Sequence, residues 1–147
     1  MSFGFTSTFL DVRTVDGLDD VLLTPLDYTA ADGTIYRAPR GGTTDGLSVP
    51  RCVQNIIPAT GGDWMSGVLH DSAYRNQLQI WLGCGVWGTP NLTQEQSDNL
   101  ILEAMESQGV GFMMRHTIYR ALRMFGSVAF NDNRSPAGII RNALQSV

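Results

Sequence analysis

Residues 26–37 read LDYTAADGTIYR, and this stretch decides how the first third of the chain folds. Asp32-Gly33 is the strongest hairpin signal present, because Asp and Gly tolerate the left-handed backbone of a tight connection between antiparallel strands. Leu26-Asp27-Tyr28 and Ile35-Tyr36-Arg37 flank it as the paired strands. Upstream, Val21-Leu22-Leu23-Thr24 begins a strand that Leu26 to Thr29 continues past Pro25. Proline donates no ladder hydrogen bond, so Pro25 suits an edge or a bulge. Phe3, Phe5 and Phe9 alternate with small polar residues, the period-2 pattern of a half-buried strand. Asp16-Gly17 marks a turn. Downstream, Pro39 to Pro50 is a loop rich in Gly and Thr.

Beyond this the period changes. Pro50 opens a short helix, Arg51 to Ile57, with Ser48 as a nearby cap and Pro58 as its stop. Asp63 caps a helix over Trp64 to Gln77, in which Trp64, Val68, Leu69 and Ala73 recur at helical spacing. The stretch Trp81 to Asn91 (WLGCGVWGTPN) reads as an irregular insertion. Thr93 and Gln96 form a capping box for a helix over Gln94 to Ser107, with Leu100, Ile101, Ala104 and Met105 inward and Gly109 as its stop. A third helix, Phe112 to Met124, presents Met113, Ile118, Leu122 and Phe125 to the core, and Gly126 ends it. Ser135-Pro136 opens a short helix, Ala137 to Leu144. Strands first and helices after predict an α+β fold, a small N-terminal antiparallel β-sheet packed on a core of three main α-helices. The expected layout is one domain over 1–147. It has a β-rich part at 1–50, a helical core at 51–126 with the insertion at 81–91, and a C-terminal tail at 127–147.

Composition narrows the function classes. At 147 residues and 43% hydrophobic, the chain suits one domain with a core. Only 16% of residues are charged, below the roughly 25% of ordinary domains, which argues against a disordered tail or a coiled coil. No apolar run approaches the roughly 20 residues of a membrane span, and MSFGFTSTFLDVRTVDG lacks the basic and apolar regions of a signal peptide. A net charge of −4 argues against broad nucleic-acid binding. Cys52 and Cys84 make neither a disulfide framework nor a zinc set and read as small buried residues. All ten basic residues are Arg. Residues 1–106 carry five Arg and thirteen acids, whereas 107–147 carry five Arg and one acid. Either the basic end docks on the acidic body, the simpler reading, or it meets an acidic partner.

Four polar residues stand where a bland core has no need of them. His70, Asp71 and Tyr74 lie in one helix, His70 and Tyr74 at i and i+4 on a shared face. Asp98 lies in the first turns of the next long helix and reaches them if the two pack antiparallel. A His ring held by a carboxylate activates a water as a general base. A neighbouring carboxylate can hold a hard cation such as calcium, which takes oxygen ligands. The loop Thr43-Thr44-Asp45-Gly46-Leu47-Ser48 would bring Asp45 and backbone carbonyls to the same place. The alternative is a satisfied buried network that sets how two helices pack. His116 reads as a surface or core-edge residue. Trp81 and Trp87 are either packed under the insertion or exposed as anchors for a partner.

The order of these motifs resembles a family of bacteriophage proteins known as domain of unknown function 1353. The matching elements are Leu22 to Tyr28, TTDGLSVPR at 43–51, LHDSAYR at 69–75, SDNLILEAMESQGV at 97–110 and TIYRALRMFG at 117–126. The resemblance covers about residues 20–126. It implies phage origin. Together with the low charge, the Gly-rich loops and exposed-looking Trp81 and Trp87, it makes the first expected function a virion-associated structural or assembly protein, in the tail or at the capsid–tail junction, made in the host cytoplasm. Other particle proteins and further copies of the chain, as a homo-oligomer or ring, are the partners it implies.

HD-x-x-Y on one helix with Asp on the next is also similar to secreted and parvoviral phospholipases. That resemblance implies His70 as general base, Asp71 as calcium ligand, and Tyr74 and Asp98 as supports of the His. The Gly-rich calcium loop of those enzymes has no clear match in this sequence, so TTDGLSVP would have to do its work, with Asp45 as an extra ligand. The second expected function is accordingly a metal-assisted hydrolase of lipid or cell-envelope ester or amide bonds, with calcium as the cofactor implied.

Overall fold

The structure, a computed structural model, describes residues 3–7, 10–14, 20–45 and 65–145. Phe9, the Asp16-Gly17 turn, Gly46 to Ser48, Cys52, the helix expected over 51–57, Asp63 and Trp64 lie outside these residues.

The chain is α+β. Its strands are β1 (Gly4–Phe5), β2 (Val12–Arg13), β3 (Asp20–Leu22), β4 (Leu26–Thr29), β5 (Ile35–Ala38) and β6 (Thr43–Thr44) before the first described helix, then β7 (Gln79–Gly83) and β8 (Val86–Gly88). Its helices are α1 (Met65–Tyr74), α2 (Gln94–Ser107), α3 (Phe112–Phe125), α4 (Ser127–Arg134) and α5 (Pro136–Gln145).

The Asp32-Gly33 hairpin forms as read. β4 and β5 pair antiparallel with Asp27 opposite Arg37 and Tyr28 opposite Tyr36. Gly33 takes φ +87° at the tip, and the Thr34 amide donates to Asp32 Oδ1 at 2.9 Å. Across the pair, Arg37 donates to both Asp27 carboxylate oxygens at 2.6 and 2.7 Å. The expected run from Val21 through Thr29 is instead two strands in different sheets. β3 lies between β2 and β6 in a three-stranded sheet, while β4 belongs to a five-stranded sheet of order β1-β4-β5-β7-β8. The chain changes sheets around Pro25, where a missing amide hydrogen costs no ladder bond.

Two further expectations are corrected. The loop expected over Pro39 to Pro50 contains β6, which pairs with β3. The segment expected as an irregular insertion is a hairpin, β7 and β8, that completes the larger sheet and sets Trp81 opposite Trp87. Gly83, Cys84 and Gly85 take φ of +96°, +52° and +78°. The residues that made the segment look irregular are those its tight turn requires. Cys84 lies on that turn and is exposed, not buried as expected.

α2 is the element shared by the core. Its Leu100 and Ala104 pack with Tyr28, Ala30, Leu69, Ala73 and Leu78. Its Ile101 and Met105 pack with Ile118, Ala121 and Leu122 of α3. Leu22, Leu26, Ala38 and Val68 fill the space between the sheets and α1. Met113 and Phe125, expected in the core, are 78% and 54% exposed. α3 carries apolar residues on two sides, so spacing alone cannot choose which side packs on α2. α4 has no counterpart in the sequence reading, because SVAFNDNR buries no residue and shows no apolar stripe. Among the described residues no helix is long and apolar enough to cross a membrane.

Candidate functional site

The site is built on the second half of α1. This helix is buried along nearly its whole length, from Ser66 through Tyr74. α1 and α2 run antiparallel: Ser66, early in α1, bonds through its hydroxyl to Gln108, just past the end of α2. Tyr74, the last residue of α1, bonds to Asp98 in the first turns of α2. The Thr93–Gln96 capping box, with both reciprocal bonds in place, sets where α2 starts and hence where Asp98 stands.

The polar residues divide into two clusters, because His70 and Asp71 point about 100° apart around a helix. In the first cluster His70 Nε2 lies 3.0 Å from Asp98 Oδ1, and the Tyr74 hydroxyl donates to the same oxygen at 2.7 Å. Arg123, from α3, donates to Asp98 Oδ2 at 3.0 Å. Asp98 is fully buried, so its charge needs these three donors. A carboxylate at Nε2 places the ring proton there and leaves Nδ1 as the basic nitrogen. The His70 and Tyr74 rings pack 4.0 Å apart, and Phe130 of α4 meets Tyr74 edge-on at 5.2 Å. Burial and the bond to Asp98 push the Tyr74 phenol far above its ordinary range, so it stays a neutral donor.

In the second cluster Asp71 faces β6. Thr44 Oγ1 donates to Asp71 Oδ2 at 2.6 Å, and the Asp45 amide donates to the same oxygen at 3.2 Å. Arg75 Nη1 donates to Thr43 Oγ1 at 2.6 Å, and its Nη2 lies 3.8 Å from Asp45. Burial, and then the facing Asp45 carboxylate, push the Asp71 carboxyl well above the usual range, against the pull of Arg75 and Thr44.

The structure thus brings His70, Tyr74 and Asp98 together, and separately Asp71 and Asp45. The second pair fits calcium poorly. One Asp71 oxygen is already turned onto protein donors, and a guanidinium stands beside Asp45. Among the described residues no group of three or more His, Cys, Asp or Glu is placed to hold a metal ion. Trp81 and Trp87 stack edge-to-face at 5.1 Å on the outer hairpin, and Arg37 covers the Trp87 ring at 4.1 Å. They lie on β7 and β8, whereas the His70 cluster is built from α1, α2 and α3. His116 packs on Phe112 at 4.1 Å.

Sequence reading missed three contributors. Arg123 had only the C-terminal excess of Arg to announce it. Arg134 donates to the Ala73 and Tyr74 carbonyls at 2.8 and 2.9 Å, capping the end of α1 from α4. Gly126 is more than a helix stop: a Cβ there would meet the Tyr74 hydroxyl at 2.5 Å.

A family model described as protein of unknown function (DUF1353) matches residues 21–122. No curated protein and no solved structure matches the chain.

Proposed function

We propose that this chain, which belongs to the DUF1353 family, is an ester hydrolase that works through a His70–Asp98 dyad, with acyl esters of envelope lipids as its substrate class. The observation that carries the reading is the 3.0 Å contact from His70 Nε2 to a fully buried Asp98 that Tyr74 and Arg123 also hold. Asp98 fixes the tautomer and balances the imidazolium that forms. Tyr74 and Arg123 hold Asp98 in place. His70 is only 3% exposed in the free chain, so water and the ester carbonyl reach Nδ1 once the site opens around substrate. Nδ1 then takes a proton from that water as its oxygen attacks the carbonyl, and the imidazolium returns the proton to the departing alkoxide. The similarity of HD-x-x-Y plus Asp to phospholipases supports a lipid ester as the substrate. No step runs through a metal, because the Asp71–Asp45 pair does not fit one.

Fatty-acid release from phospholipid vesicles tests the reading. His70→Gln, which keeps an N–H donor for Asp98, is expected to lower turnover by about 10²–10⁴-fold and to lower the melting temperature less than Asp98→Asn does. Loss of stability without any wild-type turnover would reduce the cluster to helix packing. A chelator is expected to leave turnover intact, and strict dependence on added calcium would return Asp71 and Asp45 to the role of ligands.

A second reading, a structural or assembly protein of a phage particle, is supported by the uncovered apolar side chains of α3, α4 and α5, which suit a neighbour in an assembly. Mass spectrometry of purified particles tests it, with stoichiometric copies expected and absence counting against it. The two readings are compatible, since a particle can carry an enzyme.

A further inference from the structure

α5 is packed with its apolar side outward. Ile139, Ile140, Ala143 and Leu144 fall on one side of the helix by their spacing, and the three large ones are 53%, 61% and 72% exposed. The residues it buries are Gly138 and Asn142. Its hold on α4 is polar: Asn142 Nδ2 donates to Asn133 at 3.1 Å, and Arg141 donates to Asp132 at 3.0 Å. Gly138 lies against the Asp132 carbonyl with no room for a Cβ. On the preceding leg the same thing happens. Gly126 keeps a right-handed helical backbone, φ −76° and ψ −16°, so Met124 and Val128 stand four residues apart along nearly continuous helix. They are 70% and 77% exposed, and Phe125 beside them is 54% exposed.

Six large apolar side chains at 53–77% exposure are a liability in water. At roughly 100 Å² each, about half of what a whole aromatic side chain buries, they present about 600 Å². That is the upper end of the roughly 300–600 Å² that a monomer leaves as its largest apolar patch. Two copies that bury both stripes and the polar atoms beside them reach the low end of the roughly 1,200–2,000 Å² total of a stable interface.

Charge decides between occupants. A helix that lies on a membrane carries many Lys or Arg on its polar side. α5 has one, Arg141, already paired with Asp132. Nearby, Arg115 is paired with Glu106, Arg123 with Asp98, and Arg134 is spent on carbonyls, which leaves exposed Arg120, one turn before Met124, as a single further cation among the described residues. The apolar side itself carries no charge, so two copies of it meet without repulsion, as a two-fold contact requires. We infer that a second copy of this chain covers this face, with α5 packed on the partner's α5 and the Met124–Val128 stripe at the margin.

Sedimentation velocity of the full chain over a dilution series tests this. The expected result is a dimer that dissociates on dilution. Ile140→Glu combined with Leu144→Glu is expected to raise the dissociation constant by at least about 100-fold, because a dimer would have to bury carboxylates. Both residues are exposed in the single chain, so circular dichroism should match wild type, and melting should match it at dilutions where wild type is monomeric. Leu82→Glu on β7, also exposed, is expected to leave the dimer intact. A wild-type chain that stays monomeric at every concentration would overturn the inference, as would a dimer indifferent to the double variant. A monomer that co-sediments with anionic vesicles, and loses this with the same variant, would reassign the face to a lipid surface.

Discussion

Asp98 is the residue on which both stability and the proposed chemistry turn. It is fully buried and takes three donors from two helices, His70 and Tyr74 on α1 and Arg123 on α3, while itself on α2. Asp98→Asn keeps the shape but leaves Arg123 facing an amide. Breaking a buried pair costs about 3–5 kcal/mol. The low end is expected here, because the Arg123 side chain is one-third exposed and reaches water. Denaturant unfolding should show that loss, and turnover should fall with it, whereas His70→Gln, which keeps a donor for Asp98, should cost mainly turnover. Asp71 behaves in the opposite sense. Its folded value lies above the ordinary 3.8, so between the two values the folded chain keeps a proton that the unfolded chain has released. Stability therefore falls as pH rises through that window. Asn at 71 keeps an acceptor for Thr44 and the Asp45 amide and ends the repulsion with Asp45. Asp71→Asn is expected to melt above wild type at about pH 8 and to show little difference at about pH 4. Equal offsets at both pH values would show that Asp71 is not proton-linked.

At the scale of elements, the junction of α3 and α4 controls the site from behind. Gly126 leaves room for the Tyr74 hydroxyl, and a Cβ there would press on that hydroxyl and on the Leu122 carbonyl, each at 2.5 Å. Gly126→Ala should displace Tyr74 from Asp98 and lower turnover by up to about 100-fold, the scale of an ångström's misplacement. In a Tyr74→Phe background the same substitution should cost less, because the oxygen it strikes is gone. A double-mutant cycle on turnover reads the coupling, and strict additivity would disprove it. α4 itself is held by what it does for α1. Arg134 satisfies two terminal carbonyls of α1 and also the Leu92 carbonyl at 3.0 Å.

At the scale of the whole molecule, the charge split along the chain is partly closed within it. Arg115 and Arg123 pair with Glu106 and Asp98 of the acidic body, and Arg134 caps α1. The simpler of the two charge readings thus accounts for three of the five C-terminal Arg. The apolar residues of the same region are not closed in this way, and α5 depends on α4 through few contacts. Hydrogen exchange should therefore divide the molecule. Amides of α5 are expected to exchange fastest among the helices in dilute solution and to gain protection as concentration rises, while α1, α2 and α3 stay unchanged. Concentration-independent exchange in α5 would speak against its being covered by a second copy.

What the sequence determined by itself was local. Asp32-Gly33 placed the hairpin because few residues tolerate the backbone of its tip, and Gly33 takes φ +87° there. Thr93 and Gln96 placed the start of α2, and Gly109 its end, because caps are satisfied by neighbours a few residues away. The i, i+4 spacing put His70 and Tyr74 on one face. Tertiary structure decided everything that depends on which surfaces meet. It chose the side of α3 that packs, leaving Met113 and Phe125 out. It joined the β7–β8 hairpin to β5, some forty residues earlier in the chain. It separated Asp71 from His70 by giving each its own neighbour, and it brought Arg123 to Asp98. Composition and spacing carry the period of an element but not its rotation about its own axis. That rotation is set by burial against other elements, which no short stretch of sequence contains.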